Sequence, residues 1–181
     1  ACSFINGGRL MQPYLLKEAL SPEGKVLYRT QPRVVGHPIS EQTSQTMRRL
    51  LQDVVDRGGA KNAAVPGYRI GGKTGTAQVY KEGRIVRDVH IGSFLGFAPA
   101  DDPQIMMLIP MDPPSRSTGT YVSGGNMVAP TASHIMEEIL PYLGIEPSYS
   151  AEELMGVDTT VPNVIGMSVD EAKDRLKERG F

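Results

Sequence analysis

The spacing of apolar positions changes period along this chain, and each change marks an expected element. Residues 1 to 6 read as the tail of a helix, stopped by Asn6, Gly7 and Gly8. Leu10 to Leu20 and Val26 to Tyr28 carry extended patterns on either side of Ser21-Pro22-Glu23-Gly24. Pro suits the second position of a turn and Gly the fourth, so a hairpin is expected there. Gly36-His37-Pro38 is a connector, and Ser40 is a good N-cap for a helix whose apolar residues Met47, Leu50, Leu51, Val54 and Val55 recur at helical spacing until Gly58.

Downstream the period shortens to two. Ile70 to Tyr80, a turn around Lys81-Glu82-Gly83, a second extended run reaching from Ile91 to Ala98, a turn at Ala100-Asp101-Asp102-Pro103 and then Gln104 to Ile109 predict three successive strands of an antiparallel sheet. Asp112 to Gly125, rich in Pro, Ser, Thr and Gly, is a loop. Pro130 suits the first turn of a helix that carries Ala132, Ile135, Met136, Ile139 and Leu143 on one side and is placed to cover the sheet. From 146 to 160 the composition turns to Pro, Ser, Glu and Asp without a period, which predicts an exposed linker and a domain boundary. Beyond it, Ser168 and Glu171 form a capping box for a short helix in which Glu171 and Arg175 are paired one turn apart and Gly180 is the stop.

Composition narrows the class. With 40% hydrophobic and 22% charged residues the chain is an ordinary folded one, and its formal net charge of -1 supplies no basic excess for nucleic acid. The single cysteine, Cys2, cannot form an intrachain disulfide and is expected to be a small buried hydrophobe. No apolar run approaches membrane-spanning length and no signal segment opens the chain, so it reads as an internal fragment. His37, His90 and His134 have no metal-ligand spacing, Asp101 and Asp102 read as turn residues, and Met106 and Met107 read as buried strand.

The chemistry concentrates in Gly71-Gly72-Lys73-Thr74-Gly75-Thr76-Ala77-Gln78. On a strand, Lys73, Gly75 and Ala77 share one face and Thr74, Thr76 and Gln78 the other, with Gly75 leaving room for a close approach to the backbone. The result is a strand edge suited to an anionic, peptide-like ligand. Gly67 to Thr74 also satisfies the phosphate-loop pattern G-x-x-x-x-G-K-[ST], which makes a nucleotide-binding protein an alternative. That pattern needs a helix starting at the lysine, and the β-branched residues after Lys73 start a helix badly.

K-T-G is also the third motif of the penicillin-binding proteins and class A β-lactamases. Asn6 to Pro13, Pro66-Gly67-Tyr68, Gly72 to Gln78, Ser93-Phe94-Leu95-Gly96-Phe97-Ala98-Pro99, Ser123-Gly124-Gly125 and Val128-Ala129-Pro130 follow the order and spacing of class B penicillin-binding proteins, which the chain resembles over essentially its whole length. Gly58-Gly59, where a Gly-Thr pair is common, and Pro110, in a normally aliphatic strand, depart from that pattern. Val161-Pro162-Asn163-Val164-Ile165-Gly166-Met167 and the helix after it resemble the opening of a PASTA domain.

The resemblance implies an α+β fold: the C-terminal part of the penicillin-binding protein transpeptidase (β-lactamase-like) fold over 1–145, a linker over 146–160 and a truncated PASTA domain over 161–181. It implies a peptidoglycan D,D-transpeptidase of division or sporulation type that cross-links stem peptides ending in D-Ala-D-Ala by serine acyl transfer and binds β-lactams, without metal or cofactor. The parent would lie outside the cytoplasmic membrane, anchored by an N-terminal helix, with cell-wall synthesis proteins as partners. Lys73 would set proton positions beside the nucleophile and the substrate carboxylate, with Gly75 completing the motif. Thr74 and Thr76 would donate hydroxyls to that carboxylate, and the Thr76 N–H would be one oxyanion donor. Ala77 and Gln78 would extend the peptide-binding edge, and Tyr121, Ser123 and Gly124 would line the cleft mouth. None of the seven lysines has a serine three positions earlier, and S-x-N is absent because Ser123-Gly124-Gly125-Asn126 is one residue too long. The isolated chain is therefore expected to be inactive, and a non-catalytic module binding cell-wall peptide or muropeptide is the other reading.

Overall fold

The computed structural model describes residues 1–112, 114, 115, 117, 119, 121–154 and 162–177. Seven strands and four α-helices follow one another in it: β1 Leu10–Met11, β2 Glu18–Leu20, β3 Val26–Arg29, β4 Val34–Gly36, α1 Glu41–Asp56, β5 Gly71–Lys81, β6 Arg84–Ala98, β7 Ile105–Met111, α2 Ala129–Tyr142, α3 Ala151–Leu154 and α4 Val169–Lys177.

The three-stranded antiparallel sheet β5-β6-β7 is the centre of the molecule. Its register pairs Thr74 with Phe94 and Gly72 with Gly96, and Phe94 in turn with Ile109. Side chains alternate across the pleat, so each of the two phenylalanines serves a different face. Phe94 lies in a core with Val128, Ala132, Met136 and Leu140, which lays α2 on one face. Phe97, on the other face, packs with Ile5 and Ala100, flanked by Leu51 of α1 and Met106.

Helix α1 begins where its cap predicts, with the Ser40 hydroxyl accepting from the Thr43 N–H at 3.1 Å. Ser44, fully buried, is a tie that apolar periodicity does not reveal. Its Oγ donates to the Phe4 carbonyl at 2.9 Å and accepts from the Gly7 N–H at 3.1 Å, fastening the N-terminal segment to α1. The hairpin around Ser21 to Gly24 forms as β2 and β3. β1 pairs with β4 in a second small ladder, across Leu10 and Gly36.

Several expectations need correction. Cys2 is exposed in a short 3-10 turn, because that turn is anchored by the buried Ile5 rather than by the cysteine. In α2 the buried positions are Ala129, Ala132, Met136 and Leu140, while Ile135 and Leu143 face outward. Ala132 and Met136 face the core as expected, and a turn of π-helix, Gly124–Val128, feeds directly into α2 at the buried Ala129. β6 reaches back to Arg84, because it continues as a two-stranded ribbon with β5 beyond the end of β7. β7 runs through Pro110 to Met111, and proline is tolerated there because β7 is an edge strand.

The stretch read as a linker is, over 147–154, laid along the loop before β5, while 155–160 lie outside the described residues. Val161, Gly180 and Phe181 also lie outside them. In α4 the capping box forms as expected, with the Glu171 carboxylate accepting from the Ser168 N–H at 2.9 Å and from its hydroxyl at 2.7 Å. No helix among the described residues is long and apolar enough to cross a membrane.

Candidate functional site on the outer strand

Lys73, Thr74, Gly75, Thr76, Ala77 and Gln78 follow one another along β5, and no strand flanks the outer side of β5 among the described residues. Backbone groups on that side are available to an extended ligand. The pairing of Lys73 with Leu95, Gly75 with Ser93 and Ala77 with Ile91 puts these residues on the face opposite α2, and Thr74 and Thr76 on the α2 face. The strand continues unbroken to Lys81. A phosphate loop would turn into a helix at Lys73, so the nucleotide-binding alternative loses its structural requirement.

The Lys73 ammonium is exposed and donates to the Thr74 carbonyl at 2.8 Å, with the Thr74 hydroxyl 3.5 Å away. It is thus held beside the strand edge by the chain's own backbone. The Thr76 hydroxyl accepts from the Gly124 N–H at 3.3 Å, which leaves its hydrogen to donate elsewhere.

Gly124 is buried against the back of this strand. A Cβ there would fall 2.6 Å from the Gly75 carbonyl oxygen and within the contact radius of the Ser93 carbonyl, so only glycine permits the approach. The Ser123 hydroxyl accepts from the Asn126 N–H at 3.1 Å and so caps the π turn, and Tyr121 stands exposed before it. Of the three residues assigned to a cleft mouth, Gly124 therefore meets the Lys73 strand from behind and Ser123 shapes the turn that brings it there.

Two supports were not read from the sequence. Asn62 donates from Nδ2 to the Gly125 carbonyl at 3.0 Å, tying the segment after α1 to the turn behind Thr76. Gly92, paired with Thr76, lets Val128 and Gly124 close on the sheet. A glycine inside a strand pattern, with a Gly-Gly pair downstream, is the signal that such an approach leaves.

Residues 2–137 match the family model for the penicillin binding protein transpeptidase domain. The chain belongs to the penicillin-binding protein transpeptidase family. Residues 159–181 match the PASTA domain model. The stage V sporulation protein D of Bacillus subtilis (strain 168) is 42% identical over 180 residues, 95% of this chain and 27% of that protein. The probable peptidoglycan D,D-transpeptidase PenA of Neisseria flavescens is 35% identical over 78% of this chain and 32% of its own length. Among solved structures, penicillin binding protein 3 from Mycobacterium tuberculosis complexed with ampicillin is similar, with a TM-score of 0.70 and 30% identity over 82% of this chain and 34% of that one. This chain thus spans about a third or less of each of these relatives. The expected α+β architecture, a transpeptidase-fold sheet covered by helices with a PASTA match at its end, is the one found.

Proposed function

We propose that β5 is the substrate-binding wall of a D,D-transpeptidase site, and that the protein containing it cross-links peptidoglycan stem peptides by serine acyl transfer. The observation that carries this reading is the placement of Lys73, Thr74 and Thr76 on a strand whose outer edge has no strand partner among the described residues and which is stiffened from behind by Gly124. A stem peptide ending in D-Ala-D-Ala would add to that edge as a further strand. Its terminal carboxylate would accept from the Thr74 and Thr76 hydroxyls and sit near the Lys73 charge. The Thr76 N–H would stabilise the oxyanion of the tetrahedral intermediate, with Gly75 allowing the carbonyl to come close. A β-lactam would enter the same place, as the ampicillin complex of the mycobacterial relative suggests. The nucleophilic serine would come from a part of the protein outside this chain, since no S-x-x-K occurs here.

The same reading assigns 1–145 to the transpeptidase domain, 146–160 to a connecting arm and 161–181 to the opening of a PASTA domain. It places the protein on the outer side of the bacterial membrane with an N-terminal anchor, in the company of cell-wall synthesis proteins.

Labelling with a fluorescent penicillin tests it. The full-length protein should label covalently, and Lys73→Ala should slow labelling by about a hundredfold or more, the scale of losing a charge-stabilising group at an acyl-transfer site. This chain alone should not label. Covalent labelling of this chain alone would overturn the assignment of the nucleophile, and saturable muropeptide binding without labelling of the full-length protein would favour a binding module.

A further inference from the structure

The arm over 147–154 closes on one residue, Gly67, four positions before β5 begins. The Ser148 N–H donates to the Gly67 carbonyl at 2.7 Å. The Gly67 N–H donates to Glu153 Oε1 at 2.9 Å, and the Ser150 N–H donates to Glu153 Oε2 at 2.7 Å. The Glu153 N–H in turn donates to the Ser150 hydroxyl at 3.2 Å, so Ser150 and Glu153 make a capping box at the start of α3. Its carboxylate has a second use, as the acceptor for a backbone group from a residue far away in sequence. Both backbone polar groups of Gly67 are thereby satisfied by the arm.

The fit leaves no room for a side chain. Gly67 has φ +77, and a Cβ there would lie 2.8 Å from Pro147 and from the Tyr149 ring. Each residue between Gly67 and the strand is then fixed in turn. The Tyr68 hydroxyl donates to the Ile145 carbonyl at 3.0 Å, Arg69 accepts at its carbonyl from the Ala100 N–H at 2.8 Å, and Ile70 is buried in the core. β5 and Lys73 follow directly.

We infer that Gly67 and Glu153 form a clasp through which the C-terminal arm holds the root of the Lys73 strand, making Glu153 a positioning residue for the site on β5. The consequence for acylation rests on the acyl-transfer reading above. Releasing the arm removes the partners of the Gly67 N–H and the Gly67 carbonyl together and loosens the segment that sets where Lys73 begins. Acyl transfer is sensitive to displacements of about 1 Å. The PASTA match begins shortly after this arm, at residue 159.

The test uses the full-length protein and its Glu153→Gln, Glu153→Ala and Gly67→Ala variants, with two readouts. Amide exchange should accelerate about tenfold or more over 68–76 in Glu153→Ala and Gly67→Ala, less in Glu153→Gln, which keeps an oxygen acceptor, and not at all over 129–142 in α2. The rate constant for penicillin acylation should fall several-fold in the same order while the affinity of the initial complex changes little. Faster exchange confined to 146–154 with unchanged acylation would overturn the inference, and so would equal acceleration in α2, which would mean plain loss of stability. Exchange does not require acylation, so a wild type that fails to label would sink the acyl-transfer reading while the clasp is still judged. Glu153→Gln, the mildest change, keeps the experiment readable if the other two variants do not fold.

Discussion

The sheet and the N-terminal arm spend similar residues to opposite effect. Around β5-β6-β7, Phe94, Phe97, Met136 and Leu140 are fully buried. Between residues 10 and 36, Leu15 is 105% exposed, Leu27 67% and Leu16 55%, although strands form there with definite register. The difference is a second layer. α2 and α1 cover the sheet, whereas β1-β4 and β2-β3 are two-stranded ladders with no second layer over them among the described residues, a form that is marginal by itself. Hydrophobicity alone does not bury a residue; a facing element must be present.

The largest expected effect follows from that contrast. Phe94→Ala should destabilise the chain by about 3–5 kcal/mol, the usual cost of emptying a fully buried aromatic site. Leu27→Ala should stay within about 0.5 kcal/mol, as for exposed sites. Urea unfolding followed by circular dichroism gives both numbers. A Leu27→Ala cost comparable to that of Phe94→Ala would mean that the arm is covered in solution and would break the comparison.

Glycines sharpen the contrast at a smaller scale. Gly124→Ala pushes a methyl group onto the Gly75 and Ser93 carbonyls, so a loss of about 1–3 kcal/mol is expected, together with weaker penicillin labelling of the full-length protein. Gly36, in the arm, has nothing within 4 Å of a Cβ and no positive φ. Gly36→Ala should be neutral or stabilising by up to about 1 kcal/mol, through the unfolded chain. Equal losses at the two sites would show that the two regions are packed alike.

What the sequence disclosed and what it hid divide along the same line. Local chemistry was legible: the Ser40 cap, the Ser21 to Gly24 turn, the Ser168 and Glu171 box, and the alternation that puts Lys73 and Thr74 on opposite faces of a strand. The motif around Lys73 was legible because its residue types and neighbours are unusual together. The choice of Leu140 over Ile135 as a core position of α2 was not, since both are apolar and only the packing partner distinguishes them. The extent of β6 was hidden because its Arg84 to His90 portion is ribbon rather than core and carries no burial pattern. The docking of 147–154 was hidden for a different reason: its anchors are the backbone N–H and carbonyl of Gly67, and backbone groups leave no mark on composition.

The smallest expected effect compares two copies of one local device. Ser150 with Glu153 and Ser168 with Glu171 are both capping boxes, and in both the carboxyl is held below its ordinary value of 4.5. The causes differ. For Glu153 they are the Ser150 N–H first and the Gly67 N–H second, with the Ser150 hydroxyl and the Arg69 charge adding to them; for Glu171 they are the Ser168 hydroxyl first and the Ser168 N–H second. A carboxyl whose folded value is depressed contributes stability that is complete above its unfolded value and is lost as pH falls through the folded one. Acidification below about 4.5 should therefore release the arm from Gly67 as Glu153 takes up a proton. Asp56, Arg57, Arg69, Tyr68 and Tyr149 line the same cleft, of about 440 Å³, around the Glu153 carboxylate. Proteolysis within 146–154 should accelerate on acidification in the wild type, and the same acceleration should already be present at pH 7 in Glu153→Gln. Glu171→Gln should fray α4 and leave both the arm and the unfolding midpoint of the sheet unchanged, because α4 buries none of its residues. A shift of that midpoint in Glu171→Gln would mean that the second box, like the first, holds something beyond its own helix.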